Sequence, residues 1–403
     1  MDKDLSIYGY VKKEDYNIVA GPDWPSFDEF KTHQNIQQFV YDEIDAMLWN
    51  LKPFDNPSFC VLPFYGIEYP SNTVCCRLPK KYNLESIKSD MLAGQRSPYC
   101  QQCWTTEDAG LKSDRIVKNE TLDFYADIDI QKLVSQCTNG KNSVIHYKID
   151  TSNVCNATCI TCGSGASSSW AQLERKNGVT PNKSWFKVEH DFAGRINYKT
   201  AASIGFRGGE PLLSNINFEI LEKLLEKNNS DCFINFTTNG SVTPSIEQTK
   251  LLSKFKNLNF GFSLDGIGSV FEYLRYPLEW PTILKNIDYC RNNNILISVH
   301  HTISNLNVYY YNQSASWFND NNINFDCNFV EDPAWFRATA LPKHVKNIIV
   351  NKQITSAMNF LLNTHTTKDE SDYELFRTEI AKQDSWKGIQ LADYLPELAK
   401  LIG

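Results

Sequence analysis

Three cysteines fall within nine residues in VCNATCITC, at Cys155, Cys159 and Cys162. Thiolates are soft ligands that suit zinc or an iron–sulfur group. Gaps of three and then two residues let one loop wrap a compact centre. A 4Fe–4S group takes four cysteine ligands, and only three are local here, so one metal position would stay open. An open position marks a reactive centre rather than a structural one. Two plainer readings stand beside this one: three unrelated core cysteines, or a zinc site of three cysteines completed by a histidine.

A second group lies upstream. FCVLPFYGIEYPSNTVCC carries Cys60, Cys75 and Cys76, and SPYCQQCW carries Cys100 and Cys103. Four of these five thiols would complete another site. Adjacent residues of an extended chain point to opposite faces, so Cys75 and Cys76 do not both serve one centre. A structural zinc knuckle is the plain alternative. Cys137, Cys232, Cys290 and Cys327 are most simply buried apolar residues.

The elements that must position these groups change character along the 403 residues. Residues 1–52 read as a helical lead, with Ser26 and Glu29 as a capping box and Ile36, Phe39, Val40, Ile44 and Leu48 at helical spacing. Residues 53–115 are short, turn-rich and cysteine-bearing, with YPSN as a hairpin turn between FYGIE and TVCCR. Residues 116–143 connect. From 144 to 340 strands and helices alternate about six times, through SVIHYKID, ASIGF, CFINFTT, LNFGFSL, ILISVHHTI and INFDCNFV. That rhythm predicts a parallel α/β fold built as a partial (β/α)6 barrel, short of the eight units of a closed barrel. Residues 341–403 read as a helical extension. The cysteine loop, GGEP, TTNG and SLDG each follow a predicted strand. Ligands gather at the carboxyl ends of parallel strands, so these distant segments should face one cavity.

The formal charge of −7 argues against bulk nucleic-acid binding. No apolar run is long enough to span a membrane, and no secretory signal precedes the first elements. A cytoplasmic location is expected, where structural disulfides are rare.

The cysteine loop, with GGEP and SLDG in order behind it, resembles the radical SAM superfamily, whose signature is C-x3-C-x2-C after the first strand of a partial barrel. The resemblance implies that Cys155, Cys159 and Cys162 hold a 4Fe–4S cluster. It implies that Gly208, Gly209, Glu210 and Pro211 meet the methionyl ammonium of S-adenosylmethionine. Ser263 and Asp265 would face its ribose, and Arg275 its carboxylate. Thr161 departs from the aromatic residue common before the third cysteine, so adenine must be stacked by another group. Arg207, before GGEP, reads as a rim salt bridge or a ligand contact. The spacing of Cys60, Cys76, Cys100 and Cys103 resembles the twitch module, which implies a second, auxiliary 4Fe–4S cluster in front of the barrel.

The implied activity is reductive cleavage of S-adenosylmethionine to a 5′-deoxyadenosyl radical that abstracts a substrate hydrogen. With the auxiliary cluster, a net oxidation or modification of a peptide or protein is expected; a small molecule, sugar or nucleotide is the alternative. A flavodoxin- or ferredoxin-like donor would supply the electron. A reading of a different class is a non-catalytic zinc-binding interaction protein. His300 and His301 close the fifth strand of the alternation, and one should point into the barrel and the other outward.

Overall fold

The computed structural model describes residues 56–403 apart from 109, 111, 139–142, 183–191, 352–361 and 363–368. The capping box at Ser26 and the periodic segment from Ile36 to Leu48 lie outside the described residues.

One parallel sheet organises the chain. Its strands run β1 (Gly66–Tyr69), β2 (His146–Asp150), β3 (Ser203–Arg207), β4 (Phe233–Thr238), β5 (Leu258–Ser263), β6 (Leu296–Ile303) and β7 (Asn324–Phe329), and they pair in that order. Parallel neighbours need crossover connections, usually helical. Helices α1 (Ser168–Lys176), α2 (Asn215–Glu226), α3 (Ile246–Leu252), α4 (Gly268–Leu274), α5 (Trp280–Asn292) and α6 (Tyr311–Asp320) occupy those connections. The six strands β2–β7 with their helices make the partial barrel expected from the alternation. Arg77, just past β1, hydrogen-bonds Asn328 of β7, so the two edges of the sheet approach each other.

Every strand alternates. Tyr147 and Ile149, Ile204 and Phe206, Ile234 and Phe236, and Phe260 and Phe262 turn outward into the main core. They pack against Leu221 and Leu224 of α2 and Ile283 and Ile287 of α5. The residues between them therefore face inward.

One local expectation is corrected. TVCCR does not form a hairpin strand: a single antiparallel bridge joins Glu68 to Thr73, and β1 pairs in parallel with β2 instead. Side chains divert the segment. The Cys76 amide donates to Glu68 Oε1 at 3.1 Å, and the Arg77 amide donates to Cys75 Sγ at 3.4 Å. These amides are thereby lost to a ladder. The cysteine-bearing segment also has its own apolar cluster, centred on Phe59, Val61, Ile87 and Leu122.

The carboxyl-terminal extension forms a third cluster. Phe376 and Ile380 of α7 (Asp369–Lys387), with Leu395 and Leu398, pack on Ile160 and Tyr273. The tail is thus anchored on the cysteine loop itself.

Candidate functional site

Three consecutive serines at the start of α1 pin the cysteine loop. Ser167 caps the helix by accepting from the Trp170 amide, and its hydroxyl donates to Ala157 O at 2.8 Å. Ser169 donates to Cys155 O at 2.6 Å, and the Cys155 amide donates to Ser168 Oγ at 3.1 Å. Trp170 Nε1 donates to Cys159 O at 2.9 Å. From the other side, the Thr158 and Ile160 amides donate to Tyr276 O and Leu274 O at 2.7 and 2.8 Å. These bonds fix the backbone around Cys155 and Cys159, and the Cys162 amide donates to Cys159 O at 3.0 Å.

The thiols lie near enough to act on one another. Burial, then Cys159, raises the Cys155 thiol to about 11. The same causes raise Cys162 to about 12. Neighbouring thiolates that repel one another suit a cationic group, because a coordinating metal deprotonates its thiol ligands. Among the described residues no three His, Cys, Asp or Glu side chains close on one point to hold a single metal ion. Three soft thiol donors on one loop are the ligand type that an iron–sulfur group takes.

GGEP locks onto this loop. The Gly209 amide donates to Ser152 O and the Glu210 amide to Val154 O, each at 2.8 Å. A Cβ at Gly208 would lie 2.4 Å from Ser152 O, and one at Gly209 would lie 2.2 Å from Val154 O. Both glycines are required for this backbone approach, Gly208 also for its φ of +115°. The buried Glu210 carboxylate accepts from Thr238 Oγ1 at 2.8 Å, the Asn239 amide at 2.8 Å and the Leu212 amide at 3.1 Å. Burial nevertheless raises its pKa to about 7, against those bonds. A carboxylate has about four acceptor positions, so one stays free for a further donor. Asn239 Nδ2 also donates to Asn156 Oδ1 at 2.8 Å, tying TTNG to the cysteine loop.

SLDG completes the rim. Ser263 is the last residue of β5, opposite His300. Asp265 is buried; its Oδ2 lies 2.8 Å from Arg275 Nε and its Oδ1 accepts from the Thr302 amide at 3.1 Å. Arg275 in turn brings Nη1 to 3.9 Å from Cys159 Sγ. Asp265 therefore aims Arg275 at the cysteine loop. Asp265, through this partner, raises the Arg275 pKa above its already high ordinary value in spite of burial. The two histidines divide as their alternation predicts. His300 Nδ1 meets Asp326 Oδ1 at 2.6 Å inside the barrel. His301 turns outward against Tyr311 and Phe318, with Nδ1 2.6 Å from Leu264 O.

The tail contributes groups that the sequence did not advertise. Gln383 Nε2 donates to Ile160 O at 3.1 Å. Lys387 Nζ donates to Gln383 Oε1 at 2.9 Å and stands 4.7 Å from the Trp170 ring centroid. Burial lowers its pKa to about 8, while Cys159 and Cys162 pull the other way.

In the upstream group the adjacent cysteines part company. Burial, then Cys75 and Cys103, drives the Cys60 thiol well up. Burial and Cys103 raise Cys100 to about 12. Cys75 thus shares a locality with Cys60, Cys100 and Cys103. Cys76, the residue chosen from spacing, turns away: Lys148 Nζ lies 3.2 Å and Arg207 Nη1 4.0 Å from its Sγ. The diverted turn after Glu68 reverses which thiol faces the group. Cys232 and Cys290 are buried in the main core, and Cys137 in the upstream cluster.

Most of the barrel interior was missed, apart from Arg207 and its expected salt bridge. Inward positions read Glu68 on β1, His146, Lys148 and Asp150 on β2, and Arg207 on β3. Asn235 and Asn259 continue the series, with Asn259 Nδ2 donating to Asn235 Oδ1 at 2.7 Å and to Ser298 Oγ at 2.9 Å. Arg207 pairs with Asp150 at 3.1 Å and Glu68 at 3.4 Å, and Lys148 pairs with Glu68 at 3.2 Å. Closed βα barrels are usually packed with branched apolar side chains; this one is lined with polar and charged groups. Beside it, a cavity of about 340 Å³ lies between the cysteine-bearing segment and β7, lined in part by Arg77, Cys103, Asp114, Asn328 and Arg337.

No known family profile matches the chain. A stretch of 193 residues is 27% identical to an uncharacterized protein of Methanocaldococcus jannaschii, covering 45% of this chain and 62% of that one. The match thus spans under two thirds of the relative. Among solved structures, the chain is similar to native anSMEcpe with bound AdoMet, with a TM-score of 0.38 and 17% identity over 61% of this chain and 62% of that one. It is also similar to Streptococcus suis SuiB bound to precursor peptide SuiA, with a TM-score of 0.37 and 13% identity over 68% and 65% of the two chains. SuiB bound to S-adenosylmethionine scores 0.33 at 18% identity, over 56% and 49%. Scores of this size carry no argument, and the functional reading rests on the chain's own residues. No helix among the described residues is long and apolar enough to cross a membrane.

Proposed function

We propose that the chain is a radical SAM enzyme with two 4Fe–4S groups that modifies a hydrogen-bonding substrate, a peptide or protein first. The observation that carries this is the knit of four strand ends. Cys155, Cys159 and Cys162 after β2, GGEP after β3, Asn239 after β4 and the Asp265–Arg275 pair after β5 are joined through Gly209–Ser152, Asn239–Asn156 and Arg275–Cys159. The three thiols would hold the first group and leave its fourth position open. When bound and reduced, that group would supply one electron to S-adenosylmethionine and so start hydrogen abstraction.

The residues divide the remaining work. Glu210 offers a buried carboxylate oxygen to an ammonium. Arg275, held by Asp265, offers a cation to a carboxylate beside the thiols. Ser263 supplies a hydroxyl at the same rim. Lys387 and Gln383 close the outer side of the loop. Cys60, Cys75, Cys100 and Cys103 would hold the second group, with Cys75 in place of Cys76. The polar interior suits a substrate recognised by hydrogen bonds. A twitch-like module over 53–115, the barrel over 144–340 and a supporting extension over 341–403 remain the proposed division of the chain.

The test is anaerobic. Reduced protein is mixed with S-adenosylmethionine, and 5′-deoxyadenosine is measured for wild type and for Cys159→Ala. Cleavage by wild type and its loss in the variant support the reading. Zinc without sulfide, together with no cleavage, would replace it with the zinc-binding reading.

A further inference from the structure

The helix Gln101–Asp108 and strand β7 supply two walls of the cavity of about 340 Å³. On the helix, Gln101, Gln102, Thr105 and Thr106 line it, at the spacing of a single face. The buried Cys103 also reaches the cavity. On β7 three consecutive residues line it: Cys327, Asn328 and Phe329. Side chains of a strand alternate between faces, so the cavity runs along the edge of the strand. β7 is the last strand of the sheet. The Val330 amide donates to Ile303 O at 2.9 Å, which turns the backbone of Val330, and of alternate residues before it, toward β6. Cys327 has the opposite parity, so its amide and carbonyl turn to the cavity side.

The open polar groups on these walls are neutral. Gln102 is exposed, and its side-chain amide has no partner among the described residues. Gln101 Nε2 donates to Thr105 Oγ1 at 3.3 Å, which leaves the Gln101 oxygen and the Thr105 hydroxyl hydrogen open. Such groups offer a donor and an acceptor together, as each peptide unit does. The cations are already matched: Arg77 pairs with Asp114, Arg337 with Glu331 and Lys112 with Glu120. A phosphate, which is held best by charged donors, has no unmatched cation to meet. A helix of this length runs about 12 Å, enough for about three to four residues of an extended chain. We infer that an extended, uncharged peptide segment docks in this cavity, its backbone along the edge of β7 and its other side against the helix Gln101–Asp108. Main-chain hydrogen bonds to a strand edge supply the affinity of such docking. Cys103 places the upstream thiols at the wall that the segment passes. The inference rests on the proposed reading, in which the substrate is a peptide or protein, and gives that substrate a docking site beside the barrel.

The experiment uses anaerobically reconstituted protein, immobilised, and a degenerate pool of capped, uncharged heptapeptides as the probe. Mass spectrometry reads which members are retained. Wild type should retain a subset. Gln102→Trp, which fills the cavity from the helix side, should retain it at least tenfold less. Lys254→Met, exposed just past α3, should retain it unchanged. Hydrogen–deuterium exchange of wild type with a retained peptide should slow within 101–108 and 324–330. That measurement needs no variant, so it decides if Gln102→Trp fails to fold. ATP and maltotriose stand for a nucleotide and a sugar, and neither should raise the melting temperature as a bound ligand does. No retention by wild type, equal retention by folded Gln102→Trp, or exchange slowed only elsewhere overturns the inference. Stabilisation by ATP or maltotriose without peptide retention replaces the peptide with that class. Iron content and cofactor cleavage are measured on the same preparation. Cleavage without peptide retention sinks this site alone. Peptide retention in protein that takes up no iron sinks the radical reading and leaves the site.

Discussion

Gly209→Ala separates the interlock from the general need for a foldable barrel. The new Cβ would sit 2.2 Å from Val154 O, which is backbone and cannot swing aside. The strand end and the loop before Cys155 must move apart. That movement strains two backbone bonds, each 2.8 Å in the wild type. Each is worth about 1 kcal/mol, and forced overpacking costs about 1–3 kcal/mol. Replacing glycine gains up to about 1 kcal/mol from the unfolded chain, so the loss wins. We expect a net destabilisation of about 3 kcal/mol, with weaker iron retention because the displaced backbone carries Cys155. Gly205→Ala is the control two turns of the pleat earlier. Its Cβ would meet only Tyr147 O, at 4.0 Å, and stability should change by no more than about 0.5 kcal/mol. Urea unfolding of the reduced apoprotein measures both. Equal stability of Gly209→Ala and wild type, or equal losses in the two variants, would refute the close-approach argument.

Three further outcomes follow from the geometry. Cys75→Ala should lower the iron bound by the upstream group, whereas Cys76→Ala should keep it; iron analysis giving the reverse order contradicts the assignment. The buried Glu210 is raised from 4.5 to about 7, so its protonated form stabilises the fold fully below about pH 4.5, and that contribution is lost as pH rises through 7. At about 1.36 kcal/mol per pKa unit this amounts to about 3 kcal/mol in the apoprotein; Glu210→Gln should lack that slope between pH 5 and 8, and identical pH profiles would contradict it. Lys387→Met removes a cation beside Cys159 and Cys162, so a redox titration followed by electron paramagnetic resonance should give a lower midpoint potential for the cluster at that loop, and an unchanged or higher one would exclude the electrostatic role.

Much of the barrel was legible because its strands are short, bounded by Asn and Gly, and separated by helical spacing. HYKID, LNFGFS and NFDCNF also carried a signal that was not used. Parallel strands covered on both faces normally read as continuous apolar runs. Their strict alternation announced a wet interior, and with it Lys148, Asn259 and Asp326. The choice between Cys75 and Cys76 was not legible. It depends on two amides captured by Glu68 and Cys75 rather than by a ladder. Lys387 was equally hidden, since a lysine on a helix reads as a solvated face until the tertiary fold buries it. The serines at 167–169 were visible as a helix start, but their grip on the cysteine loop follows from the direction in which the loop returns.

The central claim is that two groups of thiols each hold four irons. Iron and acid-labile sulfide should be counted per chain in anaerobically reconstituted wild type and in a variant with Cys155, Cys159 and Cys162 replaced by alanine. We expect about eight irons in the first and about four in the second, with sulfide in step. Zinc in either group, or an iron count that the triple replacement leaves unchanged, would contradict it.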